Sequence, residues 1–392
     1  MERRPGVPRL LREINDRAAL ELLLASGPLT RGQIGELTGL SKVTASQTLA
    51  RLEERGLVEV VGEQGGGRGP NAALYAVVAS SAYVAGLDVE PELVTAAVAD
   101  INGEIAAEVT IDPSGHDDPI AAVHTALVKA CRSARVAMGK LRGVVIGTPG
   151  VVDPRSGDVR YSFDLPGWHE GMHQSLAADL RHEVVIENDV NLAALAEHAA
   201  GAAKGADDFV LVWVGRGLGL AIMLGGRLYR GRSGSAGEIG WLPVPGVPLA
   251  EDVRALPGKP PSLAGGLAAL VSMKAVTELA GSYGFTGASK AEGVAAAVKA
   301  GAAGEPLLDE IAARLALGVA SVCVVLDPGT VVLAGEVSRA GGAALSSRVE
   351  EAVARICPVR PQVVVSEVTG NPVLRGAVLA ALDRAREEVF SS

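Results

Sequence analysis

Near Ser81 the hydrophobic pattern changes period, which confines the chain to two differently built parts. Before that point, residues 15–57 read as helix, short turn, helix, short turn, helix. After it, strands alternate with helices. Residues 83–89, 93–101 and 105–111 form a three-strand meander, followed by a helix over about 119–138 and a short buried strand at 144–147. A second unit opens with a strand at Val184 and a helix over about 190–203. It continues with strands at 209–214 and 218–224, later helices, and a strand at 330–333. Two such halves predict an internal duplication with a cleft between them. The expected division is a head of residues 1–80 and a body of residues 81–392, with lobes of about 81–190 and 191–392.

Charge follows the same boundary. The 392-residue chain carries a net charge of -9, but residues 1–80 hold 10 Lys/Arg against 9 Asp/Glu, and the remainder holds 26 against 36. A nearly neutral head with clustered arginines, joined to an acidic body, permits local DNA binding while the body repels DNA. A hydrophobic fraction of 48% with dispersed Gly and Pro excludes wholesale disorder and a fibrous repeat. No uncharged apolar run reaches membrane-spanning length, and the arginine-rich start lacks the apolar core of a signal peptide, so a cytoplasmic protein without a membrane partner is expected. Cys131, Cys323 and Cys357 lie far apart and read as core thiols.

In the head, Leu20, Leu23 and Leu24 supply the first helix with an apolar stripe. Thr30 with Gln33 three residues on fits a capping box, and Gly39 suits a left-handed stop. Ile34 and Leu37 are expected to face inward. Ser41 begins the third helix, whose buried stripe is Ala45, Leu49 and Leu52. Lys42, Thr44, Ser46, Gln47 and Arg51 then point away from the core, where they can donate to phosphates or read base edges. Residues 57–61 and 73–78 read as two strands around a glycine-rich loop holding Arg68, which is the outline of a wing beside a helix-turn-helix. A small helical bundle that binds protein is the alternative, and Arg68 between glycines can equally be simply solvated.

The motifs of the body resemble the ROK family, a group of bacterial sugar-responsive repressors and sugar kinases. They are GTPGVVD at 147–153, LPGW at 165–168, IENDVNLAALAE at 186–197, VGRGLGLAIMLGGRLYRG at 214–231 and AGEIG at 236–240. With the head included, the resemblance covers nearly the whole chain and is most similar to actinobacterial regulators of xylose or glucose-related metabolism. It implies an α/β chain in which a winged helix-turn-helix precedes a two-lobed, actin-like (ribonuclease H-like) ATPase-type fold. It also implies a sugar site. Asn188 and Asp189, at a strand-to-helix junction, are suited to paired hydroxyls, and Asp189 matches the position of the kinases' general base. Gly150 would let backbone approach the ligand, and Glu238 matches a sugar-contacting carboxylate. Each has a plainer reading: helix cap for Asn188 or Asp189, turn residue for Gly150, solvated loop carboxylate for Glu238.

The sequence departs from the family's kinases where phosphate is handled. In place of DxGGT it has Asp88, Val89, Glu90, Pro91 and Glu92, which lose glycines and an N–H donor and add two carboxylates that repel phosphate. Gly215, Arg216, Gly217, Leu218 and Gly219 partly keep the second phosphate loop, and residues 333–337 read LAGEV. Trp241 takes the place of the family's zinc-binding histidine, and the proline-rich run 243–261 replaces its cysteine cluster, so neither zinc nor a cofactor is expected. Trp241 either stacks on a sugar ring or closes the pocket. His169 and His173 read as a solvated pair rather than a metal site. The expected protein is a non-catalytic regulator that binds a double-stranded DNA operator. It would respond to a monosaccharide or sugar phosphate and act as a homodimer or homotetramer. An active kinase with a DNA-binding head and a ligand-independent regulator are the rivals.

Overall fold

Helix α2 (Arg31–Thr38) starts and stops where local chemistry sets its ends. Thr30 Oγ1 accepts from the Gln33 amide at 3.3 Å, Gln33 Oε1 accepts from the Thr30 amide at 2.8 Å, and Gly39 closes the helix at φ 71°. This computed structural model describes residues 8–65, 71–116, 118–162, 165, 168, 171–250, 265–287 and 291–391. α1 (Pro8–Ser26), α2 and α3 (Lys42–Glu54) pack through Leu20, Leu23, Ile34, Leu49 and Leu52. Burying each such side chain contributes roughly 1.5–3 kcal/mol. β1 (Leu29–Thr30) pairs antiparallel with β3 (Ala72–Val77), which pairs antiparallel with β2 (Val58–Gln64), giving the winged form of the helix-turn-helix. Leu37, expected inside, is 62% exposed. The short α2 instead turns Ile34 and Gly35 inward.

The first lobe contains β4 (Tyr83–Val89), β5 (Val94–Asp100), β6 (Ile105–Ile111), α4 (Pro119–Ala134), β7 (Leu141–Thr148), β8 (Val151–Val152), β9 (Val159–Tyr161), α5 (Met172–Leu180), β10 (Val184–Asn188) and α6 (Asp189–Ala200). The second contains β11 (Phe209–Val214), β12 (Leu218–Leu224), β13 (Arg227–Leu228), α7 (Ala268–Val271), α8 (Met273–Ser282), α9 (Glu292–Lys299), α10 (Glu305–Leu326), β14 (Thr330–Ala334), α11 (Gly335–Ile356) and β15 (Gln362–Val365). The two sheets run β6-β5-β4-β7-β10 and β13-β12-β11-β14-β15. In both, an antiparallel meander is extended by two parallel strands, so the second half repeats the first. No helix among the described residues is long and apolar enough to cross a membrane. The three cysteines are buried thiols.

The final helix, α12 (Pro372–Ser391), redraws the expected lobe boundary, because it returns to pack on β4, β7 and α6 of the first lobe. A Cβ at Gly376 would lie 1.9 Å from the Leu192 carbonyl oxygen, so glycine is what lets α12 lie this close to α6. Ala377 and Ala381 lie against Gly86 of β4 and Gly143 of β7, and Ala385 is buried on the same helix. Phe390, at the far end of α12, is buried in the same core as the head's Leu20 and Leu49.

Candidate functional site

Parallel strands deliver their chemistry at their carboxyl ends, where helices and loops begin. The register puts Asp88 opposite Gly147 and Asn188 opposite Thr148, so the ends of β4, β7 and β10 converge. From the second lobe, the turn after β11 and the first turn of α11 face them. Between the lobes lies a cleft of about 630 Å³, and Gly150, Asn188, Asp189 and Glu238 all line it.

Asn188 caps α6 and also lines the cleft. Its Oδ1 accepts from the Asn191 amide at 3.1 Å as the N-cap of α6, while its Nδ2 donates to the Gly150 carbonyl at 3.0 Å. The cap therefore fixes one wall of the cleft. Glu238 arrives from the other lobe because Gly237, at φ +102°, lies against β12, where a Cβ would sit 1.9 Å from the Leu220 carbonyl oxygen.

Burial, more than the neighbouring carboxylates, sets the charge of this wall. Asp88 is buried, and desolvation pushes its pKa up to about 7 against the opposing hydrogen bond from Asn371, with Glu90 and Asp189 raising it further and Arg216 lowering it. Burial, then the charge of Asp189, pushes Glu238 up to about 7. Such carboxyls hold protons in the fold that the unfolded chain, titrating at about 4, has released, so stability falls as pH rises between those values. The melting temperature is expected to drop from about pH 5 to about pH 8, and to drop less in Glu238→Gln. An equal slope in the variant would remove Glu238 from this titration.

The sequence reading missed the supports of this wall. Glu187 is buried and accepts from Asn191 Nδ2 at 2.8 Å, from its neighbour Asn188 N at 3.0 Å and from Arg230 Nε at 2.6 Å. A carboxylate ending the apolar strand VVIE was a legible sign that a partner is needed, but Arg230 is 43 residues away in sequence. The segment 88–92 and the loop at 215–217 meet across the cleft mouth, where Arg216 Nη1 stands 3.1 Å from Glu92 Oε2 and 3.8 Å from Glu90 Oε2. Glu336 packs on Gly215, with its Oε2 2.2 Å from where a Cβ would stand. Among the described residues the cleft wall does not include Trp241, which lies in the short turn Ile239–Trp241. His173, read as solvated, is half-buried with Nε2 2.8 Å from the Val184 carbonyl, and His169 lies outside the described residues.

In the head, Lys42 and Gln47 are exposed on α3, and Thr44 and Ser46 are half-buried. Ser46 Oγ accepts from Arg31 Nη1 at 3.1 Å, and Thr44 Oγ1 is 2.9 Å from the capping Ser41 Oγ. Arg51 corrects the expected outward set. Its Nη2 donates to the buried Asp16 of α1 at 2.5 Å and to Thr48 Oγ1 at 3.0 Å, because the long side chain reaches back to a carboxylate that needs a partner. Arg68 lies outside the described residues.

Comparison with known proteins agrees with this architecture. The model of the ROK family matches residues 84–384, and that of the MarR family matches residues 14–69. The chain is 28% identical over 244 residues to the DNA-binding transcriptional dual regulator NagC of Escherichia coli (strain K12), covering 62% of this chain and 60% of that protein. The chain thus spans about 60% of the length of the curated relatives it matches. The crystal structure of a ROK family transcriptional regulator, a homolog of the E. coli MLC protein, superposes over 97% of this chain and 100% of that one, with a TM-score of 0.74 and 19% identity, a likeness of fold. The ROK hexokinase from Thermus thermophilus superposes over 76% of this chain and 97% of its own, with a TM-score of 0.60 and 30% identity.

Proposed function

The chain belongs to the ROK family, and from that premise we propose that it is a DNA-binding transcriptional regulator of carbohydrate metabolism. Its kinase-like body binds a monosaccharide or sugar phosphate between the lobes and does not phosphorylate it. Lys42, Thr44, Ser46 and Gln47 meet the operator, Arg68, read from the sequence alone, adds a further contact, and Gly150, Asn188, Asp189 and Glu238 hold the sugar. A palindromic operator calls for two heads in a homodimer or homotetramer.

The observation that carries this reading is the nucleotide half of the cleft. Where a kinase needs open backbone donors for phosphate, Glu90 and Glu92 pair with Arg216 and Glu336 packs on Gly215. Added negative charge and a filled approach both oppose ATP. The names of relatives such as the regulator NagC support the DNA-binding side. The 30% identity to a hexokinase and the retained Gly215 and Gly217 favour a second reading, a kinase carrying a DNA-binding head.

Thermal stabilisation by xylose, glucose, N-acetylglucosamine and their phosphates, with and without ATP and magnesium, separates the two. A shift with sugar alone is expected, about 2.7 kcal/mol of stabilisation at a hundredfold excess over Kd. A shift that depends on ATP, with phosphate transfer, would overturn the regulator reading in favour of the kinase.

A further inference from the structure

Resting on that reading, we propose that Asn371 is the positioning residue through which the cleft acts on the DNA-binding head, with α12 as the rigid link between them. Asn371 stands in the cleft wall at the N-terminus of α12. Its two side-chain functions are divided between the site and the helix. Nδ2 donates to Asp88 Oδ2 at 2.7 Å, and Oδ1 accepts from the Leu374 amide at 3.0 Å, capping α12. Asp88 is the last buried carboxylate of β4 before the segment that replaces the phosphate loop. One amide therefore couples the chemistry of the cleft to the start of a helix.

That helix has 20 residues and so spans about 30 Å. Along its length it is seated against β4, β7 and α6, and the Gly376 contact with Leu192 leaves no room to tilt without moving α6, whose first residue is Asp189. At its far end the head is fastened to it. Phe390 is buried in the core shared with Leu20, Leu23, Leu49 and Leu52, and Arg55, just after the DNA-reading helix, donates from Nη2 to the Val389 carbonyl at 2.8 Å. Arg386 adds a tie to the Ile101 carbonyl at 2.8 Å, beside the linker into the body. A ligand that takes over a hydrogen bond of Asp88 or Asn371 changes the seating of α12, and the head moves with it. The coupling has the magnitude of the ligand's preference for one seating over the other.

The test uses hydrogen–deuterium exchange on the full chain without ligand, so its outcome does not depend on which sugar binds. Asn371→Asp keeps the cap on Leu374 but sets a carboxylate against Asp88. It is expected to speed exchange of the α1 and α3 amides at least threefold, with β14 and β15 unchanged. Adding Asp88→Asn to that variant restores a donor–acceptor pair with the roles exchanged, and should return α1 and α3 to wild-type protection. Faster exchange confined to residues 372–375 would mean that Asn371 is only a local cap, and would overturn the proposal, as would failure of the exchanged pair to rescue. If Asn371→Asp does not fold, Arg55→Ala tests the other end: it should raise exchange in α3 and abolish any effect of Asp88→Ala on that helix, and additive effects of the two would overturn the link. Absence of any sugar-induced stabilisation of the wild-type chain would instead count against the sugar reading, and leaves this comparison of variants decisive for the coupling.

Discussion

The Thr44→Ala/Gln47→Ala variant is expected to bind its operator about a hundredfold more weakly than wild type, with most of the loss in discrimination between operator and unrelated DNA. The reason is the division of labour along α3. Base-edge contacts carry roughly 1–3 kcal/mol of discrimination each, whereas phosphate contacts set register without reading sequence. Gln47 is exposed and Thr44 half-buried beside the N-cap, where a recognition helix meets the groove. Lys42→Ala should behave differently, weakening operator and unrelated DNA alike and reducing the salt dependence of binding. Arg51→Ala should act on folding instead, because among the described residues it leaves the buried Asp16 with only Arg55 at 3.8 Å; a loss of about 1–3 kcal/mol is expected. Fluorescence anisotropy on an operator selected with the wild-type protein, together with melting curves, distinguishes the three outcomes. Operator discrimination retained by the Thr44/Gln47 variant would remove α3 as the reading helix.

Asp189→Asn is expected to abolish the response to sugar while leaving DNA binding intact. A hydrogen bond from a sugar hydroxyl to a charged acceptor contributes about 1.5–3 kcal/mol, so an amide there costs roughly 10- to 150-fold in affinity. The substitution has a second effect. The charge of Asp189 helps to hold Asp88 and Glu238 at pKa values of about 7, so its loss lowers both and flattens the fall in stability between about pH 5 and about pH 8. A dose–response curve for derepression that is unchanged in Asp189→Asn would take this residue out of the sugar site. A lost response with an unchanged pH profile would separate its contact with sugar from its field on the neighbours.

Much of the fold is written in short stretches. The expected bounds of β4, β6, β11 and β12 coincide with the strands found, because alternation and buried runs are local signals. The Thr30–Gln33 box and the Gly39 stop are local as well, since each closes within four residues. The candidate residues Gly150, Asn188, Asp189 and Glu238 were singled out through their motifs, and all four line one cleft. Arg51 was misplaced for a definite reason. A helical wheel fixes which residues share a face, but the 35-residue reach from Arg51 to Asp16 depends on how α1 crosses α3. Leu37 failed likewise, because the rotation of an eight-residue helix is set by its neighbours.

The sequence by itself determined the helices of the head, the meander strands of both halves and their duplication, because each rests on periodicity, and the replacement of the phosphate loop followed from comparing adjacent residues with the resembled family's motif. Only the tertiary structure decided that α12 belongs with the first lobe, that Arg230 braces Glu187, that Arg216 crosses to Glu90 and Glu92, and that Asn371 joins Asp88 to the helix carrying the head. The hydrogen bonds and ion pairs among them span 43 to 283 residues of sequence. A polar side chain that must be satisfied announces its need locally, but its partner is chosen by whichever distant segment the packing of the sheets brings within reach.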